Sequence, residues 1–278
     1  MTRTRALALL ALIALTVAGL ACSDDDSVET GDGSPTTGTG APDDVVISIE
    51  VGGGFVPQGT DFASVPTLVL RDGTVITGGA SIAIYPGGPV SPVVTGRLGD
   101  DEVAALIDAA AEAGLDADAI DAGQPGVTDV PTTTITVAFA DGTRTHDVYA
   151  LGMDDDPGLT DDQQAVRRAV GELVAEVTGA VGTAADQPYE PVGYQVQAFP
   201  RTPADLEGLD VAPNELAWPF PDLPLSAEGC LDIEGDRVAA LTDALTDATQ
   251  ITTWTDAQGG LWQLAIRLTL PGDTRCSP

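Results

Sequence analysis

Residues 66–77, Pro66-Thr-Leu-Val-Leu-Arg-Asp-Gly-Thr-Val-Ile-Thr77, set two apolar, β-prone runs on either side of Asp72-Gly73. Val, Ile and Thr suit a pleated, half-buried surface, and Asp-Gly between two such runs predicts a hairpin closed by a type I′ turn. The same grammar recurs along the chain. Thr132–Ala140 and Thr143–Leu151 flank Asp141-Gly142, and Ile251–Thr255 and Leu261–Leu270 flank Ala257-Gln258-Gly259-Gly260. Val45–Val51 and Tyr194–Phe199 read as further strands, and Ser81–Tyr85 as one more.

Between these runs the apolar period changes from two to 3.6. Val103, Leu106, Ile107, Ala110 and Ala111 share one face of a helix expected over residues 100–113. A second helix opens at Thr160, where Thr-Asp-Asp-Gln reads as a capping box with Gln163 at the third position. Its buried stripe would be Val166, Val170, Leu173, Val174 and Val177. A third helix, Asp236–Asp247, would bury Val238, Leu241 and Leu245. Helices alternating with hairpins define an α+β protein, with antiparallel hairpins and sheets packed against amphipathic helices. Gly179–Pro191 reads as a hinge, which divides the folded part into a first α+β domain over 44–182 and a smaller unit over 190–278. Val103-Ala-Ala-Leu-Ile-Asp-Ala109 parallels Val238-Ala-Ala-Leu-Thr-Asp-Ala244, each after Gly-Asp and before a strand–turn–strand. The two halves therefore read as related hairpin–helix–hairpin units.

Ahead of this region the chain has another character. Arg3 and Arg5 precede an unbroken run of apolar and small residues, Ala6–Leu20, which is shorter than the ~20 residues that span a bilayer. The run closes on Gly19-Leu20-Ala21-Cys22 and turns at once to Ser23-Asp24-Asp25-Asp26. This ending resembles the lipobox of bacterial lipoproteins, although Gly19 and Leu20 depart from its usual residues. The resemblance implies a signal peptide over residues 1–21, cleavage before Cys22 and a diacylglyceryl thioether on that cysteine. Residues 23–43 are mostly Ser, Thr, Gly, Pro and Asp, the composition of a disordered spacer. With Cys22 acylated, Cys230 and Cys276 remain as an even pair in an oxidising compartment, which predicts a disulfide.

The chain has no lysine; beyond Cys22, 43 acids face nine arginines, a formal charge of about −34. Phosphate backbones are repelled, so nucleic-acid binding is excluded. Anionic headgroups are repelled too, leaving the acyl chains on Cys22 as the membrane attachment. Phe55-Val-Pro-Gln58, Pro66 to Val75, Val127-Thr-Asp-Val-Pro-Thr-Thr-Thr134 and Leu270-Pro-Gly-Asp-Thr-Arg-Cys276 resemble segments of uncharacterised actinobacterial lipoproteins. That resemblance brings no activity with it.

Chemistry is sparse. Gly79-Ala80-Ser81-Ile82-Ala83 half-matches a nucleophile elbow, and His146 is the sole histidine available as a base. Neither sits in a strand–turn–helix context. One histidine and no free thiolate pair exclude a typical zinc site. Asp154-Asp155-Asp156, followed by Asp161-Asp162, could hold only calcium or magnesium, and it lacks the EF-hand spacing. Without lysine there are no Schiff bases and no Walker-type phosphate loops. No cofactor is implied. Trp254 and Trp262 flank the last turn and Trp218 lies in a Pro-rich loop, positions from which aromatics can meet a ligand or serve as core. The sequence thus points to a lipid-anchored, non-enzymatic binding module outside the cytoplasmic membrane, facing an envelope protein or polymer. The alternatives are a cryptic hydrolase built on Ser81 or an acidic pair, and a structural or stress-tolerance protein of the wall.

Overall fold

A computed structural model describes residues 44–276. The signal segment, Cys22 and the spacer lie outside the described residues. The chain forms β1 (Val45–Gly52), β2 (Thr67–Leu70), β3 (Thr74–Gly78), β4 (Val93–Arg97) and helix α1 (Asp100–Glu112). The hairpin β5 (Thr132–Phe139) and β6 (Gly142–Tyr149) follows, then α2 (Asp161–Ala184) and β7 (Ala185–Pro188). These seven strands make one antiparallel sheet in the order β6-β5-β1-β2-β3-β4-β7. Beyond it come β8 (Tyr194–Arg201), β9 (Glu215–Ala217), β10 (Leu231–Ile233), α3 (Arg237–Leu245), β11 (Thr253–Thr255) and β12 (Leu261–Leu268). They form a smaller mixed sheet, ordered β10-β8-β12-β11-β9, in which only β9 and β11 run parallel. The fold is α+β.

The two sheets divide the chain near residues 189–193, yet they share a core. Side chains alternate across a strand, so Leu68 and Leu70 point to one face and Val69 to the other. Leu68, Leu70, Ile76 and Val93 pack with Tyr194, Val196, Trp254 and Ile266 of the smaller sheet. Val69 and Val75 pack instead with Leu106, Val170 and Val177 of the helices. The central hairpin is therefore buried on both faces, which is why Thr67–Leu70 reads as a continuous apolar run rather than an alternating one. The described residues fall within one compact unit.

Several local expectations change. Both Asp-Gly hairpins form, but not with type I′ turns. Only Gly73 takes a positive φ (88°) at the first, where its amide closes a turn on the Leu70 carbonyl at 2.9 Å. Arg71 and Asp72 form the turn, Gly73 supplies the left-handed residue, and the Asp72 carboxylate accepts the Thr74 amide at 2.9 Å. At the second hairpin, Phe139 pairs with Gly142 across Ala140-Asp141, and Gly142 carries the positive φ. The expected strand at Ser81–Tyr85 is absent: the segment is an exposed loop leading to Pro86, and the strand that pairs with β3 is β4. The expected hinge at Gly179–Pro191 is also overturned. Val177 and Val181 are fully buried and carry α2 past Gly179 and Gly182 to Ala184, where β7 begins.

The cap of α2 forms as read: the Gln163 amide donates to Thr160 Oγ1 at 3.2 Å, and the Thr160 amide to Gln163 Oε1 at 3.0 Å. In the stripe, Val166 and Val174 are only partly buried, while Arg167 is fully buried. The matched leucines of the two similar helices, Leu106 and Leu241, are both buried, one against the helix-side face and one in the core between the sheets. The Cys230–Cys276 disulfide is present.

Candidate binding cleft

The smaller sheet covers only part of the large one. Where β1 and β5 emerge from under it, a step forms, and this step is a cleft of about 500 Å³. Glu50, Val51 and Gly52 from the end of β1, with Thr132 and Thr134 of β5, make its floor. Arg267 of β12 and the segment Gly272–Thr274 make one wall, and Asp61, Ser64 and Pro66 from the β1–β2 loop make another.

Arg267 organises the wall. Its Nε and Nη2 donate to Gln195 Oε1 at 3.0 and 2.6 Å, and Nη2 also pairs with Asp273 Oδ1 at 3.0 Å. The guanidinium lies 5.3 Å from the Phe62 ring centroid, a cation–π distance. Asp273 Oδ2 accepts the Leu270 amide at 2.8 Å. Burial raises the Asp273 carboxyl above its ordinary 3.8; Arg267 opposes the rise, and the neighbouring Glu50 adds to it. Asp61 Oδ1 accepts the Gly53 amide at 3.1 Å.

The rim is thus acidic and hydroxyl-lined, and its one cation is bound to groups of the wall. Such a surface accepts hydrogen bonds from amines and hydroxyls and disfavours anions. These residues come from four separate stretches of the chain, so no local pattern groups them. The one local signal was Arg267, a charged residue in the otherwise apolar run Leu264-Ala-Ile-Arg-Leu268.

The residues singled out from sequence lie elsewhere. Trp218 and Trp254 are buried, with ring centroids 6.1 Å apart edge to face, and Phe220 stacks edge-on to Trp218 at 5.1 Å. Trp218 Nε1 donates to the Leu223 carbonyl at 2.8 Å, so this indole is internally satisfied. Both are core aromatics rather than parts of a binding face. Trp262 is half-buried against the same core, and its Nε1 donates to Asp256 Oδ2 at 2.7 Å.

His146 is buried, and its Nε2 lies 3.0 Å from the Leu115 carbonyl, to which it must donate. Ser81 stands in the exposed β3–β4 loop, so no serine–histidine pair is assembled. The acids near α2 have structural partners. Asp154 pairs with Arg167 Nε at 3.2 Å, and Asp156 accepts the Gly158 amide at 2.8 Å and the Gly126 amide at 3.3 Å. No group of three or more His, Cys, Asp or Glu suited to a metal ion occurs among the described residues. No helix of the described residues is long and apolar enough to cross a membrane.

The fold and cleft define an α+β protein with a polar surface site. A scan against protein-family models finds no match, and a search of curated proteins finds none either.

Proposed function

We propose that this chain is a cell-envelope lipoprotein of the actinobacterial type. In this reading Cys22 is acylated, and the folded part is a non-enzymatic binding module on the extracytoplasmic face of the membrane. The observation that carries the reading is the run Ala6–Leu20 closing on Gly19-Leu20-Ala21-Cys22. The Cys230–Cys276 bridge supports it, because such bonds persist in oxidising compartments. The acidic, hydroxyl-rich cleft favours an uncharged or amine-bearing envelope protein or polymer over any nucleic acid.

Proximity labelling from the tethered protein in its native envelope tests the binding role. Specific neighbours are expected, and their labelling should fall when Glu50 and Asp61 at the cleft rim are both replaced by Ala. A labelling profile identical to that of an unrelated lipoprotein would overturn it.

A further inference from the structure

Five of the nine large exposed apolar side chains among the described residues lie on two loops, β1–β2 and β3–β4. β1 and β3 run in the same direction with β2 between them, so the β1–β2 and β3–β4 loops leave the large sheet at one pole. Their roots are two strands, or about 10 Å, apart. Phe55 at 90% and Ile82 at 80% relative exposure are the tips of these loops, and Val56, Ile84 and Tyr85 are exposed beside them. Residues 51–60 and 73–96 contain no charged side chain at all, in a chain with 43 acids.

The loops are pinned at their bases. Gly79 N donates to the Pro92 carbonyl at 2.8 Å and Gln250 N to the Gly87 carbonyl at 3.0 Å, while Phe62 sits against Arg267. At the first tip the Phe55 amide donates to the Asp129 carbonyl at 3.4 Å, while the Phe55 ring is exposed.

From this placement we infer that the two loop tips dock on the lipid surface that bears the Cys22 anchor, their apolar side chains entering the headgroup layer. The inference rests on the lipid-anchor reading above. Three observations favour a lipid occupant. The tips protrude from separate loops, a shape that suits a fluid surface. The tips themselves carry no charge, Asp61 and Asp129 standing at the base of the first, so the apolar side chains meet less repulsion at a membrane than the acidic body does. Tyr85 beside Ile82 and Ile84 is the aromatic–aliphatic mixture favoured at an interface.

The length of chain ahead of β1 permits the arrangement. The chain enters β1 at Val45, the pole opposite the loops, and β1 is eight residues, about 27 Å. The 21 residues from Ser23 to Asp43 reach up to about 70 Å when extended. A spacer able to hold the body off the membrane is therefore also able to let its far pole turn back. A second copy is disfavoured, because it would bring two strongly negative bodies into contact.

The test uses the lipidated full chain in phosphatidylcholine vesicles, with an environment-sensitive dye on Ile82→Cys. With Cys22 acylated and Cys230 bridged to Cys276, the introduced thiol is the one labelled. Arg71→Cys, in the hairpin turn at the opposite pole, is the reference. The expected result is a blue shift and quenching by spin-labelled lipid at 82 but not at 71, with loss of both in a Phe55→Asp, Ile84→Asp background that still floats with vesicles. Solvent-like emission at 82 on vesicles that carry the chain overturns the docking while leaving the anchor intact. A shift that grows with protein concentration without lipid assigns the patch to a second copy and also overturns it. A chain with no acyl group on Cys22 and no vesicle flotation removes both readings.

Discussion

Arg167 ties the helix side of the large sheet to three backbone carbonyls and one carboxylate. It is fully buried, and beyond its pair with Asp154 it donates to the carbonyls of Ala122 at 3.2 Å and Tyr149 at 3.0 Å, and to that of Ala150. Ala150 takes a left-handed φ of 52°, and the Arg167 bond helps hold it there. Arg167→Met keeps the apolar stem but strands these acceptors and Asp154, so a loss of about 3–5 kcal/mol is expected in denaturant unfolding. A loss of less than about 1 kcal/mol would contradict this account of the site. Sequence periodicity could not reveal the residue, since a charged side chain on a helix face is normally solvated. Asp256 acts in the last hairpin turn. Its carboxylate accepts Trp262 Nε1 and the amides of Gly260 and Gln258, which holds it below its ordinary 3.8. Because the folded value is the lower one, this contribution is complete above the unfolded value and is lost as pH falls through the folded value. The stability gap between the native chain and Asp256→Ala should be flat around neutral pH and should close only below pH 3.8. A gap that already closes on mild acidification would argue against that hydrogen-bonded turn.

At the scale of elements, most of the fold was legible where one period dominates a segment. The α2 cap, α1, α3 and three hairpins follow from residue pattern alone, because each signal is local. The failures have physical causes. Ile82, Ala83, Ile84 and Tyr85 look like a strand, but Gly78-Gly79 and Pro86-Gly87-Gly88 leave them no ladder partner, and the loop carries them into solvent. Gly179 and Gly182 suggested a break, yet Val177 and Val181 bury enough surface to continue the helix through them. The cleft was not legible because its residues meet only when β12 and the segment after it lie beside β1 and β5. The disulfide ties that last segment down, with help from Asp232, which accepts the Cys276 amide at 2.9 Å. Closing 46 residues is worth about 4 kcal/mol on the chain-entropy scale. Cys230→Ser, Cys276→Ser should lose stability of that order, and proteolysis should begin at the freed C-terminal segment. An unchanged denaturation midpoint would show that the bridge constrains nothing.

Across the whole molecule, the two sheets share one core while carrying different surfaces. The step between them is acidic and hydroxyl-lined, and the tips of the β1–β2 and β3–β4 loops are apolar and uncharged. A strongly negative body cannot use a basic patch to reach a membrane, so the proposed acylation of Cys22 is what the proposed location rests on. The most direct measurement is mass spectrometry of the protein isolated from its native envelope. The account predicts an N-terminal peptide that begins at Cys22 and bears a diacylglyceryl mass, with both lost in Cys22→Ser. A mature protein that begins elsewhere, or an unmodified Cys22, would contradict it.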